Sequence, residues 1–136
     1  MAKYDAFGTV LRRGATAIVQ VQSIGGPALS LDTEDVTTHD STGGWEEVVP
    51  TILRTGEISL DIVYDPAAAT HSATAGGLIA DMVARTAQTY TLVFPDAAST
   101  SWSFSAFVTG FEPTMPHDGA LTATVTMKPT GQPTLA

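Results

Sequence analysis

Two-residue alternation built largely from threonine is the feature that most constrains this chain. In Glu57-Ile-Ser-Leu-Asp-Ile-Val-Tyr64, Ile58, Leu60, Ile62 and Tyr64 fall on one side and Glu57, Ser59 and Asp61 on the other. That period fits a strand with one face in a core and one face out. Leu121, Ala123, Val125 and Met127 alternate with threonines and Lys128, and Pro129 is expected to end that run. The same rhythm occurs in Trp102, Phe104, Ala106 and Val108, and again in Tyr90, Leu92 and Phe94. Trp102 is read as a core residue. Twenty-one threonines occur, most within such segments, and a β-branched side chain suits a pleated, half-buried surface better than a helix.

Around Gly25-Gly26-Pro27 the segments Thr16 to Ile24 and Leu29 to Thr37 are expected to pair as an N-terminal hairpin. One stretch breaks the strand pattern. From Ala75 to Ala87, Leu78, Ile79, Met82, Val83 and Thr86 share a side at a 3.6-residue period. Thr74 is a candidate cap, Asp81 and Arg85 a candidate i,i+4 pair, and Gly76-Gly77 weakens the first turn. The predicted architecture is mainly β: one β-sandwich or barrel-like domain over residues 1–136, with one flanking helix at 75–87 and a long inter-strand loop. Residues 129–136 are expected to lie extended.

At 136 residues one domain can bury roughly two thirds of the surface its unfolded chain exposes. Cysteine is absent, which removes a disulfide framework, a thiolate metal site and a cysteine nucleophile together. Asparagine is absent too, so no N-linked glycan acceptor exists. The first residues lack the charge and apolar run of a secretory signal, and the mature chain is expected to begin at or near Met1. No run approaches the ~18 apolar residues of a membrane span, so no membrane binding is expected. Net charge is −8, and Ser30 to Asp65 holds nine acids against Arg54 alone. Such a surface repels nucleic acid. It serves either solubility or assembly.

The region from Thr37 to Arg54 reads as a mobile arm rooted in the best strand, with Gly43-Gly44 for flexibility and an isolated Trp45. Trp45 is a candidate interface anchor, since buried aromatics dominate contact energies; folding back onto its own domain is the alternative. His39, Asp40 and Ser41 have the residue types of a hydrolytic triad, but neighbours on an extended chain point to opposite sides. His39, His71 and His117 are read as solvated loop residues, with no metal-ligand spacing among them. Glu46 and Glu47 diverge in the same way and form no acid-base pair. Gly76-Gly77 lacks the lysine of a phosphate loop. Neither a catalytic residue, a metal site nor a cofactor site is assigned.

The segments Tyr4 to Thr9, Thr37 to Pro66, the helix, Phe107 to Pro113 and Asp118 to Gly131 together resemble the major tail tube protein of long-tailed, siphovirus-type bacteriophages. The resemblance spans nearly the whole chain and rests on structural motifs. It implies a sandwich with a flanking helix that forms six-membered rings, stacked into the hollow tube through which DNA leaves the capsid. By the same resemblance the loop between strands, here Thr37 to Leu53, reaches a neighbouring ring. The inter-subunit set is then Thr38, His39, Asp40, Trp45, Glu46, Glu47, Val48, Val49, Ile52 and Arg54. Glu57, Ser59 and Asp61 are the candidates to face the lumen, with the acidic loop also near the axis, where acidic walls keep DNA from adhering; the alternative is that this face meets bulk solvent. Also implied are a tape measure protein, a tail tip or baseplate initiator and a tail terminator as partners, assembly in the host cytoplasm, and a final place in the virion tail. The rival readings are the tube of a bacterial contractile injection or secretion machine and, further off, a β-sandwich module for sugars or peptides. An enzyme has the least support.

Overall fold

The structure is a computed structural model and describes residues 3–74 and 76–135. Seven strands form one sheet in the order β2-β1-β7-β8-β9-β6-β3, and two more form a separate ribbon, β4-β5. The strands are β1 Val10–Arg13, β2 Thr16–Ala17, β3 Val21–Gly25, β4 Leu29–Asp35, β5 Val48–Thr55, β6 Ile58–Val63, β7 Gln88–Val93, β8 Ser101–Thr114 and β9 Thr122–Leu135. Helix α1 spans Leu78–Ala84. Every pairing is antiparallel. The expected mainly β class with one helix holds, and of the two shapes anticipated it is the barrel-like one: a single sheet curls over its own core.

That core follows the alternation. Ile58, Leu60 and Ile62 are buried, with Ala123, Val125 and Met127 beside them on β9 and Phe104, Ala106 and Val108 on β8. Tyr64 sits half-buried beyond β6 and meets Phe111 edge-on at 5.2 Å, a favoured aromatic arrangement. Trp102 differs from the expectation: it is only partly buried, at the rim, edge-on to Phe94 at 5.2 Å. Strand β9 does not stop at Pro129 but continues to Leu135. The pairing with β6 ends at Met127, so beyond it β9 has only β8 alongside and a proline there interrupts no second ladder.

Helix α1 is shorter than the predicted 75–87, and Ala75 lies outside the described residues. Its capping residue is Gly77 rather than Thr74, with no side-chain cap. A Cβ at Gly77 would collide with the Ser72 carbonyl, so the glycine that costs helix propensity is what lets the connector pass so close. Only Leu78 and Asp81 of the helix are buried, while Val83, expected to face the core, is 72 % exposed. Asp81 does not pair with Arg85. It takes two bonds from Arg13 of β1, Nε at 2.7 Å and Nη2 at 2.8 Å, and a third from the Tyr90 hydroxyl at 3.0 Å. The Asp81 hydrogen bond raises the Arg13 pKa, and burial, then the Asp81 charge, push the Tyr90 hydroxyl above its ordinary value. Arg85 instead ends the helix in a left-handed conformation, its N–H on the Asp81 and Met82 carbonyls.

His71 is likewise not solvated. It is fully buried, and Nδ1 accepts from the Asp65 N–H at 3.2 Å, which leaves Nε2 to carry the proton and donate to the Val19 carbonyl at 2.7 Å. This residue ties the Asp65 to Gly77 connector to the segment between β2 and β3. The stretches flanking Gly26 do not form a hairpin with each other, because β3 pairs with β6 and β4 with β5. At Gly26, φ is +95° and an added Cβ would meet the Glu57 carbonyl oxygen at 2.7 Å. The chain turns out of the sheet there.

Candidate assembly surface

Leaving the sheet after β3 and returning before β6, residues 29–55 form a two-stranded arm. The part read from sequence as a loop, 37–54, is therefore strand in its second half, and the arm begins at Leu29. Leu29 pairs with Thr55 and Leu31 with Leu53; past a register shift, Asp35 pairs with Val48. At the root the Gly56 N–H donates to the Ala28 carbonyl at 2.8 Å. Arg54 of β5 donates from Nε to Asp32 of β4 at 2.6 Å, an exposed pair contributing little to stability by itself.

The tip is held by a set of bonds. The Thr37 hydroxyl accepts from the Glu47 N–H at 2.8 Å and the Val36 N–H donates to the Glu47 carbonyl at 2.9 Å, which closes the ribbon. Asp35 accepts from the Thr37 N–H at 2.8 Å, and bonds from Thr37 lower its pKa. The Ser41 Oγ accepts from the Thr38 N–H at 2.9 Å, so the third residue of the apparent triad is a turn lock. Gly43 and Gly44 take left-handed φ values of 65° and 74° in a 3-10 turn, a conformation glycine reaches without penalty. The Trp45 indole lies against Gly43, where a Cβ would meet its Cδ1 at 3.0 Å, and is otherwise 78 % exposed.

Apolar exposure extends along the arm. Val48, Val49 and Ile52 of the predicted set are exposed, and Leu29, Leu31 and Leu53 join them, Leu53 at 79 %. Sequence reading missed these leucines because Leu29 and Leu31 were placed in a hairpin with β3; their two-residue spacing opposite Leu53 was the available signal. A cleft of about 490 Å³ lies between the arm root and the end of β9, lined by Leu29, Leu53, Pro133 and Leu135 among others. Thr38, His39, Asp40, Glu46 and Glu47 are exposed at the tip. Exposed apolar surface of this extent makes the ribbon a candidate contact site.

Of the second predicted set, Ser59 and Asp61 stand on the sheet face opposite the core, and Glu57 precedes β6. Asp61 accepts from Ser23 at 2.9 Å and Thr124 at 3.2 Å. By register Ser59 and Asp61 share this face with Thr124, Thr126 and Lys128 of β9, and Thr89 of β7 with Ser105 of β8. Hydroxyls dominate it. Among the described residues, no group of three His, Asp or Glu side chains could hold a metal ion, and no helix is long and apolar enough to cross a membrane.

Residues 4–136 match the model of the lambda phage tail tube protein family. The chain belongs to that family. As a tail tube family member it is a structural, tube-forming protein. Solved structures share the fold across the whole length. A chain from the virion of a native gene transfer agent particle superposes with a TM-score of 0.77 at 15% identity, with 98% of this chain and 99% of that one covered. One from the sheath/tube terminator of an extracellular contractile injection system, PVC, gives 0.72 at 16% identity, covering 98% of each. Another, from the tube-terminating cap of the anti-feeding prophage, gives 0.70 at 16% identity, covering 100% and 95%. None of the curated proteins matches the sequence.

Proposed function

We propose that this tail tube family member closes into six-membered rings and that the rings stack into a hollow tube through which genome DNA passes during ejection. The single observation that carries this is the arm: a ribbon that projects from the sheet and leaves Trp45, Val48, Val49, Ile52 and Leu53 exposed. Thr38, His39, Asp40, Glu46, Glu47 and Arg54 complete its contact surface with a neighbouring copy. Ser59 and Asp61, with Glu57 at the strand's start, face the lumen in this reading, where a hydroxyl-rich wall with few bases gives passing phosphates little to hold. A tape measure protein, an initiator and a terminator are the partners it implies, with assembly in the host cytoplasm and no catalytic step.

A second reading is the tube of a contractile injection machine. It is supported by the fold shared with the chains of the PVC and anti-feeding prophage particles. The two readings share the assembly surface and differ in cargo. Deleting His39 to Val49 tests that surface: the protomer is expected to remain folded and soluble by circular dichroism and to form no tubes in electron micrographs. Normal tubes from the deletion variant refute the role given to the arm.

A further inference from the structure

The arm and the sheet it leaves are two halves of one ladder. On β3 and β6 Gly25 pairs with Ser59, and on β4 and β5 Leu29 pairs with Thr55. Four residues forward on one side answer four back on the other, and between them the Gly56 N–H reaches the Ala28 carbonyl at 2.8 Å. A single register therefore runs through the bend. Strand β9 lies along β6 as far as Met127, opposite Ile58, and then stays with β8 while β5 leaves with β4. The strands fork there. The cleft of about 490 Å³ is the opening of the fork, with Leu53, Arg54 and Thr55 on one bank and Gly131, Gln132 and Pro133 on the other. Carried on unbroken, the β6–β9 register would set Thr55 opposite Thr130 and Leu53 opposite Gln132.

Open strand edges on both banks, and Leu53 at 79 % exposure, favour closure of the fork. Prolines oppose it. In an antiparallel ladder a residue either exchanges both bonds with its partner or turns its nitrogen and carbonyl to the other edge. Proline has no N–H to exchange, so Pro129, opposite Ala106, presents its nitrogen to the fork side of β9, and Pro50, opposite Thr33, presents its own to the fork side of β5. Pro133 lines the cleft as well, and Gly131, with φ of +77°, bends the strand between the two prolines of β9. We infer that Pro50, Pro129 and Pro133 form a conformational block: they strip the facing edges of donors, keep β5 from zipping onto β9 of the same chain, and hold the ribbon away from the sheet. The block is a property of the lone protomer. Its consequence for assembly rests on the tube-forming reading: a ribbon with no resting place on its own sheet stays available to a neighbour.

The test restores the donors in the full chain with Pro50→Thr/Pro129→Val/Pro133→Thr, valine at 129 because that residue is buried. Pro116→Ala, between β8 and β9, controls for the loss of a proline as such. Circular dichroism and thermal melts verify folding, and sedimentation velocity sets a concentration at which wild type and variants are monomers. There, hydrogen exchange of the β5 amides that do not bond β4 should slow by about tenfold or more relative to wild type as the ribbon closes on β9, and the radius of gyration from small-angle scattering should fall. Pro116→Ala should change neither. Unchanged β5 exchange in the folded triple variant overturns the block. If the triple variant does not fold, Pro133→Thr, at a half-buried position, decides in its place: slower exchange around Leu53 supports the block, and unchanged exchange overturns it. Electron microscopy at higher concentration separates this inference from the tube reading. Closure of the ribbon with loss of tubes supports both; closure with tubes like those of wild type supports the block and refutes the role given to the arm. A ribbon that stays open in the variant, with wild type forming tubes, overturns the block alone.

Discussion

Asp81 is the carboxylate on which α1 depends for its attachment, and truncating it should be costly. In Asp81→Ala three hydrogen bonds vanish: two from Arg13, at 2.7 and 2.8 Å, and one from Tyr90, at 3.0 Å. Removing one member of a buried ion pair costs about 3–5 kcal/mol, because the other is left without compensation. Here the Arg13 side chain is 23% exposed and regains some water, which places its share at the low end. The Tyr90 hydroxyl has no such recourse, since the residue is fully buried, and an unsatisfied buried donor adds about 1–3 kcal/mol. The two losses overlap, so the expected total is about 3 kcal/mol. For 136 residues at about 2.1 cal/mol/K each, that corresponds to a fall in Tm of about 10 °C. Guanidinium unfolding of unpolymerised protein should give the same loss with unchanged m. A double-mutant cycle with Tyr90→Phe should return a coupling of about 1 kcal/mol. A loss below about 0.5 kcal/mol for Asp81→Ala would refute the reasoning, and with it the view that this cluster anchors the helix.

Tyr90 also predicts an alkaline limit to stability. Its folded pKa is raised, so the stabilisation is fully present below tyrosine's ordinary value of about 10 and is lost as pH rises from there through the folded value, because the unfolded chain releases the proton first; unfolding midpoints measured across pH 9–11 should fall less steeply for Tyr90→Phe than for wild type. Gly26→Ala should cost at least about 2 kcal/mol in denaturant unfolding, from a left-handed φ combined with a Cβ driven against the Glu57 carbonyl; a neutral result would mean that the turn out of the sheet relaxes freely.

Which parts could be read from sequence depends on how local their causes are. The strand at Ile58–Val63 declared itself because one face is core and the other is open, so burial imprints a period of two on neighbouring residues. The arm strand Val48–Thr55 gave no such sign, since it is exposed on both faces and Val48-Val49-Pro50-Thr51-Ile52-Leu53 carries no alternation. Trp45 and the flanking acids marked it in sequence as a candidate contact surface, while its extent left no local sign. Asp81 invited a partner one helical turn away, whereas its true partner lies 68 residues earlier in the chain. His71 was misread for the same reason, its carbonyl partner being 52 residues distant. Composition around Gly25-Gly26-Pro27 signalled a turn correctly, but whether a turn joins paired strands is decided by which strand captures each arm. Here β6 and β5 captured them.

The position of β9 has a consequence for biogenesis. It is the strand between β8 and β6, and it alone joins the β2-β1-β7-β8 half of the sheet to the β6-β3 half. It also follows every other described strand in sequence, so during translation the two halves wait, with Ile58, Leu60 and Ile62 uncovered, until its residues emerge from the ribosome. Prematurely terminated chains therefore lack the strand that holds the two halves of the sheet together, and are expected not to add to a growing polymer.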